Sequence, residues 1–332
     1  MSVFFYILIF VVGLWMILKS SDLIIKKLSN ISVILGVSKF SVSFFLMAFA
    51  TTLPEFGVAI SAVISGSSYI AVGNAIGTNI VNLSLILGLV AIISGGVSLG
   101  NRVISKRERL STLVTSVTPV LFLMDGYLSR TDGIIFLLLF GFHMWWLVRE
   151  KRGGSKIEKT KEELAQEHII KRHPIFGTGK VFKEIFVFVL FAVLLVGGSY
   201  AVVSSSSYVA DFIGIPDILI GFFLLAIGTS LPELFFAIRA SEKHSGDLAV
   251  GDLFGSSAIN SSWILGIVGV MSPGAIGDSL VLWVGIFMMI VISLLASFFA
   301  KTKGGISRKE GYLLVFVYII FLIIQIYTGF LE

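Results

Sequence analysis

An all-α, polytopic membrane protein of ten transmembrane helices, arranged as two inverted five-helix repeats, is the fold class that this 332-residue sequence predicts. Three observations lead there. Hydrophobic residues make up 56% of the chain and charged ones only 14%, where soluble domains carry roughly 25%. Apolar stretches of the length needed to cross about 30 Å of hydrocarbon recur along it. Residues 44–88 also recur, without a gap, at 222–266, each position 178 residues later.

The predicted spans are 3–19, 40–65, 69–95, 109–124, 133–149, 183–204, 217–239, 248–271, 279–300 and 311–329. Basic residues follow the first span but none precedes it, the reverse of a secretory signal, so it is expected to be a retained helix with its N-terminus outside. The polar stretch 150–182 divides the chain into a first repeat, 1–149, and a second, 183–332. Mixed charges from Lys156 to Arg172 predict a short surface helix within that linker. Its length is too small for a further folded domain.

Loops between successive spans alternate between the two sides of the membrane. Counted that way, all 25 lysines and arginines except Arg130 fall on one side. The positive-inside rule makes that side cytoplasmic, which places both termini outside and the 150–182 loop inside, in a plasma membrane protein. The formal net charge of +5 therefore reflects topology and not nucleic-acid binding. Five spans per repeat is an odd number, so the second repeat enters the bilayer upside down relative to the first. Such pairs build a midplane site that opens alternately to each side. One pair marks the inversion: Lys39, before the first copy, corresponds to Asp217, before the second.

Within each copy, four residues lie at i, i+3, i+4 and i+7, on one helical face. They are Ala48, Thr51, Thr52 and Glu55 in the first copy, and Ala226, Thr229, Ser230 and Glu233 in the second. Pro54 and Pro232 precede the glutamates. Lacking N–H groups, they predict kinks that free backbone carbonyls. The following span adds Asn74, Thr78 and Asn82, matched by Asp252, Ser256 and Asn260. Gly73, Gly77, Gly251 and Gly255 allow these helices to press close to the glutamate-bearing ones. Asp252 is expected to be a solvated acid near the start of its helix, and Arg239 a side chain that snorkels to the interface.

Two carboxylates, amides, hydroxyls and carbonyls are hard oxygen ligands, suited to Ca²⁺ and also to Na⁺. No histidine lies near these motifs and the chain has no cysteine, which argues against zinc, copper, disulfides and thiol chemistry. Two buried carboxylates are balanced by one Ca²⁺, two Na⁺ or two protons, so the site admits cations in competition. A channel repeats a pore loop around an oligomer axis, unlike this chain, and a hydrolase would leave the paired threonines and asparagines unexplained.

The segments Ala50-Thr51-Thr52-Leu53-Pro54-Glu55 with Gly73-Asn74-Ala75-Ile76-Gly77-Thr78-Asn79, and Gly228-Thr229-Ser230-Leu231-Pro232-Glu233 with Gly251-Asp252-Leu253-Phe254-Gly255-Ser256-Ser257, resemble the alpha-repeats of the cation/calcium exchanger superfamily. Their likeness is greatest to prokaryotic sodium/calcium exchangers. The resemblance implies a non-enzymatic antiporter whose substrates are Ca²⁺ and Na⁺, with no cofactor and no protein partner beyond the lipid bilayer. It implies that Glu55 and Glu233 bind Ca²⁺, completed by Thr51, Thr229 and the carbonyls of Ala48 and Ala226. Thr52, Ser230, Thr78 and Ser256 would serve Na⁺, and Asn82 and Asn260 would line the centre. The alternative is a Ca²⁺/H⁺ or other divalent cation exchanger on the same scaffold. Such proton exchangers typically carry an acid where Thr78 and Ser256 stand, which favours Na⁺. Three departures from the family pattern stand out: Ala50-Thr51-Thr52 replaces Gly-Thr-Ser, Asn260 stands where Asp is often found, and Asp252 stands where Asn is usual.

Overall fold

A computed structural model describes residues 3–34, 51–98, 106–153, 178–215, 217–242, 246–276, 280–301, 305–329 and 331. Eleven helical elements account for most of them. In the first half these are α1 (Val3–Ile34), α2 (Leu53–Ile64), α3 (Ser68–Ile80, a π-helical turn Val81–Ile86, then Leu87–Ile93), α4 (Lys106–Phe122) and α5 (Arg130–Gly153). The second half has α6 (Thr178–Ile213), α7 (Asp217–Ile220, a π-helical turn Gly221–Leu225, then Ala226–Thr229) and α8 (Leu231–Glu242). It continues with α9 (Gly246–Ile259, a π-helical turn Asn260–Ile264, then Leu265–Met271), α10 (Leu280–Phe299) and α11 (Arg308–Gly329).

Helix falls within each of the ten stretches expected to span. Among the described residues, however, only six helices are both long and apolar enough to cross a membrane, or seven if the bent pair α7–α8 forms one span. Two further stretches, Leu53–Ile64 and Leu113–Asp125, are apolar but shorter than a span among the described residues. The surface helix expected at 156–172 lies outside the described residues, as does Lys39.

Among the described residues, four short strands stand between the helices, a detail the helical pattern did not anticipate. Strand β1 (Gly96–Ser98) pairs antiparallel with β4 (Gly305–Ser307), and β2 (Tyr127–Leu128) pairs antiparallel with β3 (Gly274–Ala275). Each ribbon ties a loop of one half to a loop of the other.

The 178-residue offset reaches well beyond the two motifs. Ser129 and Asp132 cap α5 reciprocally, the Ser129 amide donating to Asp132 Oδ2 at 2.8 Å and the Asp132 amide to Ser129 Oγ at 3.0 Å. Their equivalents, Ser307 and Glu310, cap α11 in the same way at 2.7 and 3.3 Å. Gly88 of α3 abuts Gly311 of α11, where an added Cβ on Gly88 would lie 2.7 Å from the Gly311 carbonyl oxygen. The image of that contact is Gly266 of α9 against Gly133 of α5, where a Cβ on Gly133 would lie 2.8 Å from the Gly266 oxygen. Contacts therefore map onto contacts when the halves are exchanged.

The buried core lies where the halves meet. Helix α1 packs along α6, α2 on α6, and the first part of α3 on α7. Gly73 and Gly77 make the last approach possible. A Cβ at Gly73 would sit 2.5 Å from the Ile218 carbonyl oxygen, and one at Gly77 2.7 Å from Phe222 Cα. Across the same contact, a Cβ at Gly221 would lie 2.6 Å from the Ile70 oxygen and 2.7 Å from the Asn74 nitrogen. This is the close approach of small residues expected from the motif, made between the two repeats.

Candidate ion-binding site

Each glutamate-bearing motif contains a helix restart. Helix α2 begins at Leu53 after Thr52, whose φ of −86° and ψ of 2° interrupt the helical geometry. In the second copy α7 ends at Thr229 and α8 begins at Leu231, with 42° between them. Pro54 and Pro232 thus occupy the second position of a new helix, where a missing N–H costs little. The kink expected at the prolines falls two residues earlier, at Thr52 and Ser230. Backbone bonds bridge the joint: Phe56 N to Thr52 O at 3.0 Å, Leu234 N to Ser230 O at 3.1 Å, and Ser230 N to Ala226 O at 3.2 Å. The Ala226 carbonyl keeps a second lone pair for another partner.

Glu55 and Glu233 each stand third in their new helix, within its positively polarised first turn. Both are 0% exposed. Among the described residues, neither carboxylate finds a hydrogen-bond partner for either oxygen. The two charges act on one another, and the Thr229 hydroxyl faces Glu55 without closing a hydrogen bond of standard geometry.

Asp252 differs from expectation. It is 7% exposed, accepts a hydrogen bond on Oδ1 from Thr51 Oγ1 at 3.5 Å, and lies within electrostatic reach of both glutamates. The packing of α9 against α8 and the α3 turn draws this part of the helix inside, so the acid is not solvated at a helix end. Arg239, expected to snorkel, lies in the last turn of α8.

The asparagines join the repeats. Asn82 Nδ2 donates to Ser256 Oγ at 3.2 Å, and Asn260 Nδ2 donates to Asn79 Oδ1 at 3.3 Å. Both sit in the π-helical turns of α3 and α9, a distortion found often at functional sites. Their N–H groups are engaged, while Oδ1 of each is buried without a partner. Thr78 Oγ1 and Ser230 Oγ are likewise buried and unpartnered, and Ser256 Oγ also bonds the Leu253 carbonyl at 3.2 Å. Thr52 is fully buried at the joint of α2. Ala48 lies outside the described residues.

Two participants escaped the sequence pattern. Asn79 Nδ2 donates to Ser261 Oγ at 2.7 Å, forming with Asn260 a polar bridge between α3 and α9. Asn79 falls one residue off the Asn74–Thr78–Asn82 stripe. A polar residue at its equivalent, Ser257, inside an apolar span was the available signal.

The unpartnered oxygens of Glu55, Glu233, Asp252, Asn82, Asn260, Thr78, Thr229 and Ser230 form a set of acceptors and hydroxyls. Left so, each buried polar group costs about 1–3 kcal/mol, and a hard cation satisfies carboxylate and carbonyl oxygens together. Among the described residues, no three His, Cys, Asp or Glu side chains converge closely enough to hold a metal by themselves. A cation here draws its remaining ligands from neutral oxygens.

A model of the sodium/calcium exchanger protein family matches residues 5–149 and again 183–327, the second match 178 residues after the first. The chain is 31% identical to sodium/calcium exchanger MaX1 of Methanosarcina acetivorans, over 96% of this chain and 98% of that protein. It is 30% identical to the putative antiporter CaxA of Alkalimonas amylolytica, over 93% and 94%. It is 30% identical to inner membrane protein YrbG of Escherichia coli, over 80% of each. Among solved structures it resembles the sodium-calcium exchanger NCX_Mj soaked with 100 mM Na⁺ and 10 mM Sr²⁺, with a TM-score of 0.63 and 26% identity over 97% of this chain and 98% of that one. The same exchanger soaked with 2.5 mM Na⁺ and 0.1 mM Ca²⁺ gives a TM-score of 0.62 at 26% identity, over 96% and 97%.

Proposed function

The chain belongs to the sodium/calcium exchanger protein family, and on that premise we propose that it is a secondary antiporter that carries Ca²⁺ and Na⁺ in exchange at a site built on Glu55 and Glu233. The observation that carries the reading is the pair of buried glutamates from equivalent helix restarts, all four of whose carboxylate oxygens lack a partner among the described residues. One Ca²⁺ balances their charge, as do two Na⁺, so binding of one ion displaces the other. In this reading Thr51, Thr229 and the carbonyls of Ala226 and Ala48 complete the Ca²⁺ shell. Thr52, Ser230, Thr78 and Ser256 serve Na⁺, and the Oδ1 atoms of Asn82 and Asn260 face the centre.

The finer architecture is ten spans in two inverted repeats, 1–149 and 183–332, joined by a cytoplasmic loop at 150–182, with both termini outside the plasma membrane. Three ties between the halves support it. Ribbon β1–β4 joins two loops that charge counting puts on the basic side, while ribbon β2–β3 and the 2.7 Å bond from Ser68 Oγ to Ser272 Oγ join loops of the opposite side. An odd number of spans per repeat then sets the pseudo-twofold axis in the membrane plane. Exchange of the two halves' conformations along that axis opens the site to one side and then the other.

Uptake of Ca²⁺ into proteoliposomes tests the function. Uptake driven by an outward Na⁺ gradient, and absent with a pH gradient alone, is the expected result. Uptake that needs no counter-gradient would mark a channel and overturn it.

A further inference from the structure

Resting on the exchanger reading above, we infer that Asp252 is a third carboxylate of the ion site, which with the Thr51 hydroxyl forms a subsite for a monovalent cation. Glu55 and Glu233 are matched by one divalent ion, so a third buried carboxylate leaves a single negative charge for which Ca²⁺ is not needed. The geometry supplies the rest. Asp252 is more than nine-tenths buried, its Oδ1 accepts a 3.5 Å hydrogen bond from Thr51 Oγ1, and its Oδ2 is buried without a partner among the described residues. A hydroxyl that donates its hydrogen to Asp252 points its oxygen lone pairs elsewhere than at that acid. One carboxylate and one hydroxyl make a donor set of low charge and hard oxygen, suited to Na⁺ and too weakly charged to favour Ca²⁺. The equivalent position in the first repeat is Asn74, whose Nδ2 and Oδ1 are both buried and unpartnered. The two repeats therefore carry the same pocket position with different charge, and only the second is a full monovalent subsite.

The test is Ca²⁺ exchange in proteoliposomes, comparing wild type with Asp252→Asn, which copies the residue of the first repeat. Wild-type Na⁺-driven uptake is measured first; its failure would strike the exchanger reading itself and not this subsite. In Asp252→Asn the half-saturating Na⁺ concentration is expected to rise about tenfold, the loss of one charged ligand, while the half-saturating Ca²⁺ concentration changes by less than about twofold. Asp252→Glu, which keeps the charge, is expected to retain wild-type selectivity between the two ions. Unchanged Na⁺ dependence overturns the subsite. So does an equal loss for both ions, which would make Asp252 a general attractor of cations. Uptake driven by a pH gradient and abolished in Asp252→Asn would overturn it too, by showing that this acid carries a proton. Should Asp252→Asn fail to insert, Asn74→Asp provides the reciprocal test: an added carboxylate at the matching position is expected to lower the half-saturating Na⁺ concentration, and no change counts against the proposal.

Discussion

The two helix restarts, Thr51–Glu55 and Thr229–Glu233, are near copies in sequence but not in their surroundings. Thr51 donates to Asp252, whereas Thr229 faces Glu55 with its hydroxyl unbonded, and Asn74, the counterpart of Asp252, has both amide atoms buried without partners. Equivalent residues thus meet different neighbours on the two sides of one site. Gly73 and Gly77 press against α7 at Ile218 and Phe222; the counterparts of those two residues, Phe40 and Phe44, lie outside the described residues. A repeat inherits its chemistry by duplication, but each copy acquires its environment from elements that are not its own.

The glutamates provide the most severe test of equivalence. Glu55→Gln and Glu233→Gln are each expected to abolish Ca²⁺ transport, because each removes half of the charge that balances the ion. Near wild-type exchange in one variant would show that the copies do not share the site and would sink the assignment. The glycines test the packing next. Gly77→Ala forces a Cβ against the α7 backbone and is expected to cost about 1–3 kcal/mol, read as a lower thermal unfolding midpoint in detergent. Gly73→Ala, whose Cβ would lie 2.5 Å from the Ile218 carbonyl oxygen, is expected to cost a similar amount. A wild-type midpoint in both variants would count against the close approach of α3 and α7. The smallest effect expected is that of Asn260→Asp, which adds a titratable group to one copy beside two carboxylates. Exchange by this variant should fall more steeply than wild type as pH is lowered, and a pH profile identical to wild type would count against a central position for residue 260.

Much of the molecule was legible beforehand because its signals are local or periodic. Glu55 and Glu233 stood out as carboxylates in apolar sequence, and a fixed offset linked them. The strand ribbons each join two loops that the count of basic residues assigns to one and the same side. The repeat was in fact longer than its motifs suggested, since the capping pairs Ser129–Asp132 and Ser307–Glu310 and the contacts Gly88–Gly311 and Gly133–Gly266 obey the same spacing. These are isolated matches between divergent stretches, too sparse to read without the contacts that explain them.

Asp252 was misread for a physical reason. Position along a helix says how far a residue lies from the helix end, but whether that end is wet depends on what packs around it. Asn79 was missed because a one-residue offset moves a side chain about 100° around its helix, and only the arrival of α9 on that face gives it Ser261 and Asn260 as partners.

The sequence by itself determined the membrane setting, the duplication, the hard-oxygen character of the motif side chains and the pairing of Glu55 with Glu233 at one offset. These follow from hydrophobicity, from spacing and from residue type, all properties of a chain before it folds. Only the tertiary structure decided that Asp252 is buried within electrostatic reach of both glutamates, that Asn82 and Asn260 use their donors on neighbours and leave their Oδ1 oxygens unpartnered among the described residues, and that α3 meets α7 through Gly73 and Gly77. Those facts depend on contacts between helices far apart in the chain, which no periodicity within one helix encodes.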